Sequence, residues 1–202
     1  VPKYRLDAIE TIGRKILQKY DPALLDGPPQ AVPIETIIET KFDLTLEYHC
    51  LRKNGSILGE TIFDEGAAIL YDQDEKRYRL IAVKAGTILV EERLCVDRLL
   101  GRLRFTCAHE LGHWVLHQKL YSGTGDVAAY EGKTSLDESY GLVEWQADAL
   151  ATALLMPLPQ IKRSFYRLRA GRSHEHLVAE MARTFQVSKQ AMRIRLETRN
   201  LI

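Results

Sequence analysis

The residues best suited to chemistry are His109, Glu110 and His113, in the run FTCAHELGHWVLH over residues 105–117. On an α-helix, at about 100° per residue, His109 and His113 lie about 40° apart with one a turn above the other, so both imidazoles can reach one ion. Glu110 points about 100° away from His109. That direction is poor for a third ligand and good for a base beside a water on the ion, the division of labour expected of a metal hydrolase. The spacing predicts Zn2+ between His109 and His113, with Glu110 as the catalytic group. A polar helix face with two satisfied histidines has the same three letters, so a third ligand must be found elsewhere in the chain.

His117, a further turn along, has rotated and risen too far to close a tetrahedral site and is expected to pack near the helix end. The chain also lacks the Gly-containing bend of HExxHxxGxxH. The candidate carboxylate is in EWQAD: Glu144, thirty-one residues beyond His113, with Asp148 one turn later on the same face. A carboxylate reaches zinc at roughly 2 Å only if its helix packs closely on the histidine helix, and Ala147 and Ala151, on the stripe of Glu144, permit that approach. Asp148 can accept the outer ring N–H of one histidine, orienting it and raising its basicity. Three protein ligands leave a coordination position open, which favours catalysis over a structural site with four.

The elements that must position these groups are legible as changes of period. Leu6, Ile9, Ile12, Ile16 and Tyr20 predict an amphipathic helix over residues 4–20 that stops at the Asp21–Pro22 step, and Pro33 is expected to open a second, short helix. Phe42, Leu44, Leu46 and Tyr48 then alternate with polar residues, as in a half-buried strand that leaves His49 on its surface. The runs TIF, AAILY, YRLIAV and TILV continue a small twisted sheet, antiparallel or mixed, across residues 42–90. Helix is expected from about residue 91 through the histidines, and again from Leu142 until MPLP. Between them, residues 118–141 break every period; a connection that long could cover a site. The tail predicts a helix over 174–184, a break at FQVS and a second helix capped by Ser188.

Composition sets the class. Apolar residues make up 46% and charged residues 27%, as in globular proteins, and no apolar run approaches the roughly 18 residues of a membrane span. The N-terminal segment lacks the apolar core of a secretory signal. Cys50, Cys95 and Cys107 include no CxxC pair, so a cytoplasmic, reducing setting is expected, with Cys107 as a core thiol facing away from His109. The net charge is +1, yet residues 160–202 carry ten Lys/Arg against three Asp/Glu. That asymmetry predicts two regions, a catalytic domain over 1–159 and a basic C-terminal helical region over 160–202.

HELGH followed by ExxAD and LATALLMP resembles the ImmA/IrrE family of zinc metallopeptidases, within the zincins that use two histidines and a glutamate. The lead-in RFTCAHELGH, the segment VPIETII and the tail AEMARTFQVSKQAMRIRLETRNLI extend the resemblance over most of the chain. It implies an α+β, zincin-like metalloprotease core with a helix-turn-helix-like C-terminal region. It also implies zinc held by His109, His113 and Glu144, Glu110 as catalytic glutamate, and Asp148 behind a ligand, where family members more often carry Asn. The implied substrate is a helix-turn-helix transcriptional repressor, cut to relieve repression in a stress response or on induction of a mobile element. Other zincins bind an extended peptide at a sheet edge, and the same is expected here.

Two other readings remain open at this point. The basic tail could contact duplex DNA, with Arg193 and Arg195 as candidate contacts, or the chain could be a metal-sensing regulator with little peptidase activity. A second electrophile for the reaction is left among Tyr130, Tyr140, His117, His174 and His176. No membrane partner is expected, and the sequence sets no oligomeric state.

Overall fold

Ile9, Gly13, Ile16 and Leu17 recur at helical spacing and form the buried face of α1 (Leu6–Tyr20) in a computed structural model that describes residues 2–123 and 138–202. Leu6, Ile12 and Tyr20 flank that face half-buried. After the Asp21–Pro22 step a single turn, α2 (Ala23–Asp26), begins where the Asp21 carboxylate accepts the Ala23 N–H at 2.9 Å. The next helix, α3 (Ile34–Phe42), follows Pro33 directly and stops at Asp43, whose φ of 55° is left-handed and cannot continue the helix.

Five strands follow: β1 (Thr45–His49), β2 (Gly59–Ile62), β3 (Gly66–Asp72), β4 (Arg77–Val83) and β5 (Thr87–Glu91). They form two sheets rather than one. A three-stranded sheet has the order β1-β5-β2, with β1 and β5 parallel and β2 antiparallel to β5, while β3 and β4 pair as a separate antiparallel hairpin. Every residue of β5 is buried, which suits a central strand covered on both faces. The hairpin turns Ala68, Leu70 and Val83 onto a small apolar cluster with Leu51, Ile62 and Leu89, and leaves Ile69, Tyr78 and Leu80 outward.

The chain does not enter helix at residue 91. Two 3-10 turns, Glu92–Leu94 and Asp97–Leu99, come first, and α4 (Leu100–Tyr121) then carries both histidines. The helix with Glu144, α5 (Glu138–Leu155), begins four residues earlier than its periodicity indicates. MPLP both ends α5 and opens α6 (Leu158–Leu168), because Pro157 and Pro159 fit at a helix start and nowhere further in. The tail forms α7 (His174–Phe185) and α8 (Lys189–Thr198), with the Ser188 hydroxyl accepting the Ala191 N–H at 3.0 Å as the expected N-cap. The supposed cover over the site falls mainly in 124–137, outside the described residues.

One apolar cluster runs from Ile9 and Ile38 through Leu111 and Leu154 to Met181 and Leu196, continuous across the change of charge near residue 160. Arg195 illustrates the consequence. Its guanidinium is 2% exposed, pairs with the Glu10 carboxylate of α1 and donates to the Met156 carbonyl at 2.8 and 3.1 Å. It therefore ties the first helix to the last and does not lie on the tail surface, where only Arg193 of the expected pair is exposed. No helix among the described residues is long and apolar enough to cross a membrane. Arg195→Leu leaves the buried Met156 carbonyl without its donor and the Glu10 carboxylate with Arg199 as its remaining partner, so it should cost about 2–3 kcal/mol in urea unfolding, with Arg193→Leu close to neutral.

Candidate metal centre

Close packing of α4 on α5 makes the centre. A Cβ at Gly112 would stand 2.9 Å from the Ala147 carbonyl oxygen and 3.0 Å from its Cα, so only glycine lets the two backbones lie this near. Ala147 and Ala151 are fully buried at the same seam. The small-residue stripe read on α5 thus has its counterpart on α4, in the residue directly before His113.

At that seam His109, His113 and Glu144 converge, with one donor atom from each lying within 4.8 Å of the others. His109 Nε2 and His113 Nε2 are 2.8 Å apart, and Glu144 stands 3.3 Å from the first and 3.4 Å from the second. Behind His109, its Nδ1–H donates to Asp148 at 2.8 Å, which turns Nε2 inward. Two ring nitrogens and a carboxylate facing one point are a donor set for a cation, and the residues present fit a metal ion. The protonation balance agrees. Burial alone would lower the pKa of His109, but the bonds to Asp148 and Glu144 and the charge of Glu110 outweigh it and raise it to about 10. The cluster draws a positive charge into itself. His113, buried beside His109 and His117, is held well below the ordinary imidazole value.

Glu110 is 6% exposed and points away from the donor cluster onto β2. The Thr61 hydroxyl lies 2.7 Å from Glu110 Oε2 and 3.0 Å from its backbone carbonyl. Gly59 leaves room on the same side, because a Cβ there would fall 2.7 Å from Cγ and 2.8 Å from Cδ of Glu110. Burial raises the Glu110 carboxyl to about 7, against the opposing pull of His109 and Thr61, and Glu144 and Glu60 add to the rise. A carboxyl that exchanges its proton near neutrality is suited to acid–base work. A cavity of about 380 Å³ opens over the group, walled by Leu58, Phe63 and Phe105 and floored by the two histidines and both glutamates.

His117 is fully buried behind His113, bonded to Gln146, and does not line that cavity. His174 and His176 are exposed at the start of α7 and are likewise absent from the cavity lining. Tyr130 and the Tyr140 side chain lie outside the described residues. Cys107 sits in the main core, where burial pushes the thiol up to about 12, and His49 lies partly exposed on β1 beside Glu47. Thr61, Gly59 and Gln146 were not singled out in the sequence. Nothing in their local spacing signals contacts with residues of α4.

Comparison with known proteins places the geometry in context. A family model described as Peptidase M78, IrrE N-terminal-like domain, matches residues 72–197. Among solved structures, a Mycobacterium tuberculosis transcriptional regulator is similar in fold, with a TM-score of 0.54 at 15% identity. The match covers 96% of this chain and 47% of that one, so this chain spans less than half the length of that regulator. No curated protein matches in sequence.

The seam gives a direct test. Gly112→Val should force α4 and α5 apart, lowering thermal stability by about 1–3 kcal/mol and weakening metal binding at least tenfold in chelator competition. Gly141→Ala, which meets nothing within 4 Å inside α5, should leave metal binding unchanged and not lower stability.

Proposed function

Because the chain belongs to the Peptidase M78 family of IrrE N-terminal-like domains, whose model spans well over half of it, we propose that it is a zinc-dependent endopeptidase that cleaves a helix-turn-helix transcriptional repressor. The observation that carries this reading is the convergence of His109, His113 and Glu144 beside a buried glutamate with a pKa near 7. The two-nitrogen, one-carboxylate donor set is typical of a catalytic zinc site. A bound zinc ion supplies Lewis acidity, acidifying water and polarising a peptide carbonyl. Residues 1–159 carry the reaction and residues 160–202 form a basic surface for approaching the target.

In this reading the chain's own groups divide the remaining work. Glu110 accepts the proton of the attacking water on a carboxylate oxygen and returns it to the leaving amine nitrogen. Thr61 donates to that carboxylate and Gly59 leaves it space, so it is held in one position. Asp148 keeps the His109 Nε2 lone pair inward, and Leu58, Phe63 and Phe105 limit solvent around the scissile bond. Backbone groups of β2, the edge strand beside the cavity, receive an extended peptide. The setting is relief of transcriptional repression in the cytoplasm during a stress response.

A second reading, contact with DNA, is favoured by one observation. Arg98, Arg102, Arg183 and Lys189 line a groove of about 680 Å³ between the start of α4 and the α7–α8 turn, with Asp97 the one acid among its lining residues. None of the four is in an ion pair among the described residues, so their charge is available to phosphates. The groove adds Arg98 and Arg102 to the basic tail, and the burial of Arg195 against Glu10 and Met156 removes that residue from the candidates.

Two measurements test these readings. Incubated with helix-turn-helix repressors encoded beside it, the zinc-loaded protein should cut one of them, and chelation should stop the reaction. Glu110→Gln should keep fold and metal while slowing cleavage about 10²–10⁴-fold, and His113→Ala should lose the metal; an active Glu110→Gln variant overturns the assignment. For the groove, duplex binding should weaken with salt, and the double change Arg102→Gln, Arg183→Gln should lower the salt slope by about two, one for each phosphate contact removed. A slope left unchanged would remove these cations from any DNA surface.

A further inference from the structure

Behind His113 a chain of hydrogen bonds leads away from the donor cluster. His113 Nδ1 lies 3.2 Å from His117 Nδ1, His117 Nε2 lies 3.0 Å from Gln146 Oε1, and Gln146 Nε2 lies 2.7 Å from the Pro2 carbonyl oxygen. His113 is nearly buried, and His117 and Gln146 are completely so. We infer that His117 and Gln146 are positioning residues that fix the tautomer of His113 and so turn its Nε2 lone pair toward the metal. The inference rests on the reading of His109, His113 and Glu144 as the metal centre.

The direction of the chain is set from its far end. A peptide carbonyl can only accept, so the amide nitrogen of Gln146 must face Pro2 and its oxygen must face His117. That oxygen also can only accept, so His117 carries a hydrogen on Nε2. A second hydrogen on His117 would make a buried imidazolium, and no carboxylate forms an ion pair with this ring among the described residues. The Nδ1 of His117 is therefore an acceptor. His113 must then donate from Nδ1, and its Nε2 is left with a lone pair facing His109 Nε2 and Glu144.

The two histidine ligands are thus oriented by different routes. Asp148 turns His109 with a charged acceptor, whereas His113 is turned by a neutral imidazole and amide that end on a backbone carbonyl. A neutral route places no further negative charge beside Glu144 and Glu110. His117 stands one turn past His113 on α4, and Gln146 two residues past Glu144 on α5, so both helices of the centre supply the relay.

The test begins with metal-free, 15N-histidine-labelled protein, in which long-range proton–nitrogen spectra identify the protonated ring nitrogen. We expect hydrogen on Nε2 of His117 and on Nδ1 of His113. Zinc affinity is then measured by chelator competition. His117→Leu and Gln146→Leu should each weaken it about ten- to a hundredfold, as loss of a ligand's hydrogen-bond partner does. His117→Gln should restore most of the affinity, because its amide oxygen accepts from His113 while its nitrogen donates to Gln146. A wild-type spectrum with hydrogen on Nδ1 of His117 overturns the inference, and so does full zinc affinity in a folded His117→Leu variant. If a leucine variant does not fold, the wild-type spectra decide. Wild-type protein that binds no zinc would instead overturn the metal-centre reading, with the tautomers still read in metal-free protein.

Discussion

The distance between the α4 and α5 backbones governs the rest of the molecule. Gly112 has no side chain to hold them apart, and Ala147 and Ala151 present only methyl groups. At that separation a short glutamate side chain spans the gap to two imidazoles; one turn of larger side chains at the seam would put it out of reach. Other features support this approach. Gly13 of α1 sits against Ala153 from the far side of α5, and the Arg195 pair with Glu10 ties α1 to the last helix. The core around the centre is built to hold two helices at one spacing.

Electrostatics determine what that spacing can do. Glu60, Glu110, Glu144 and Asp148 cluster around two imidazoles, an excess of negative charge that favours a cation between the donors. The four acids are in different states. Asp148 is exposed and bonded to a ring nitrogen; Glu144 faces the donors; Glu60 and Glu110 are pushed up by burial. Glu110 stays off the donor cluster because Thr61 and the bare backbone of Gly59 give its carboxylate a separate place on β2. Acids in environments this different can divide between holding an ion and moving a proton.

Much of the candidate centre could be read from the sequence because helical period converts spacing into angle. His109 and His113 one turn apart, and Glu144 and Asp148 one turn apart, have few other arrangements once both segments are helical. The mixed α and β character was legible for the same reason. What escaped depends on contacts between distant segments. Thr61 meets Glu110 across forty-nine residues and Gln146 meets Pro2 across 144, and no periodic signal marks either contact. Strand runs reveal alternation but not partners, so the split into a mixed sheet and a hairpin stayed hidden. A count of charges does not record burial, which is why Arg195 looked like a surface contact before its bonds to Glu10 and Met156 were seen.

In the order β1-β5-β2, β2 is the last strand among the described residues, and it borders the cavity. One row of its amides and carbonyls therefore faces outward. A helix has no free backbone groups to offer that row, since its own amides and carbonyls are already paired along its length. Under the proposed peptidase function, a helical target would meet a kinetic gate here. The stretch to be cut would first have to melt, so susceptibility would follow how often the target locally unravels rather than how tightly the two folded surfaces fit.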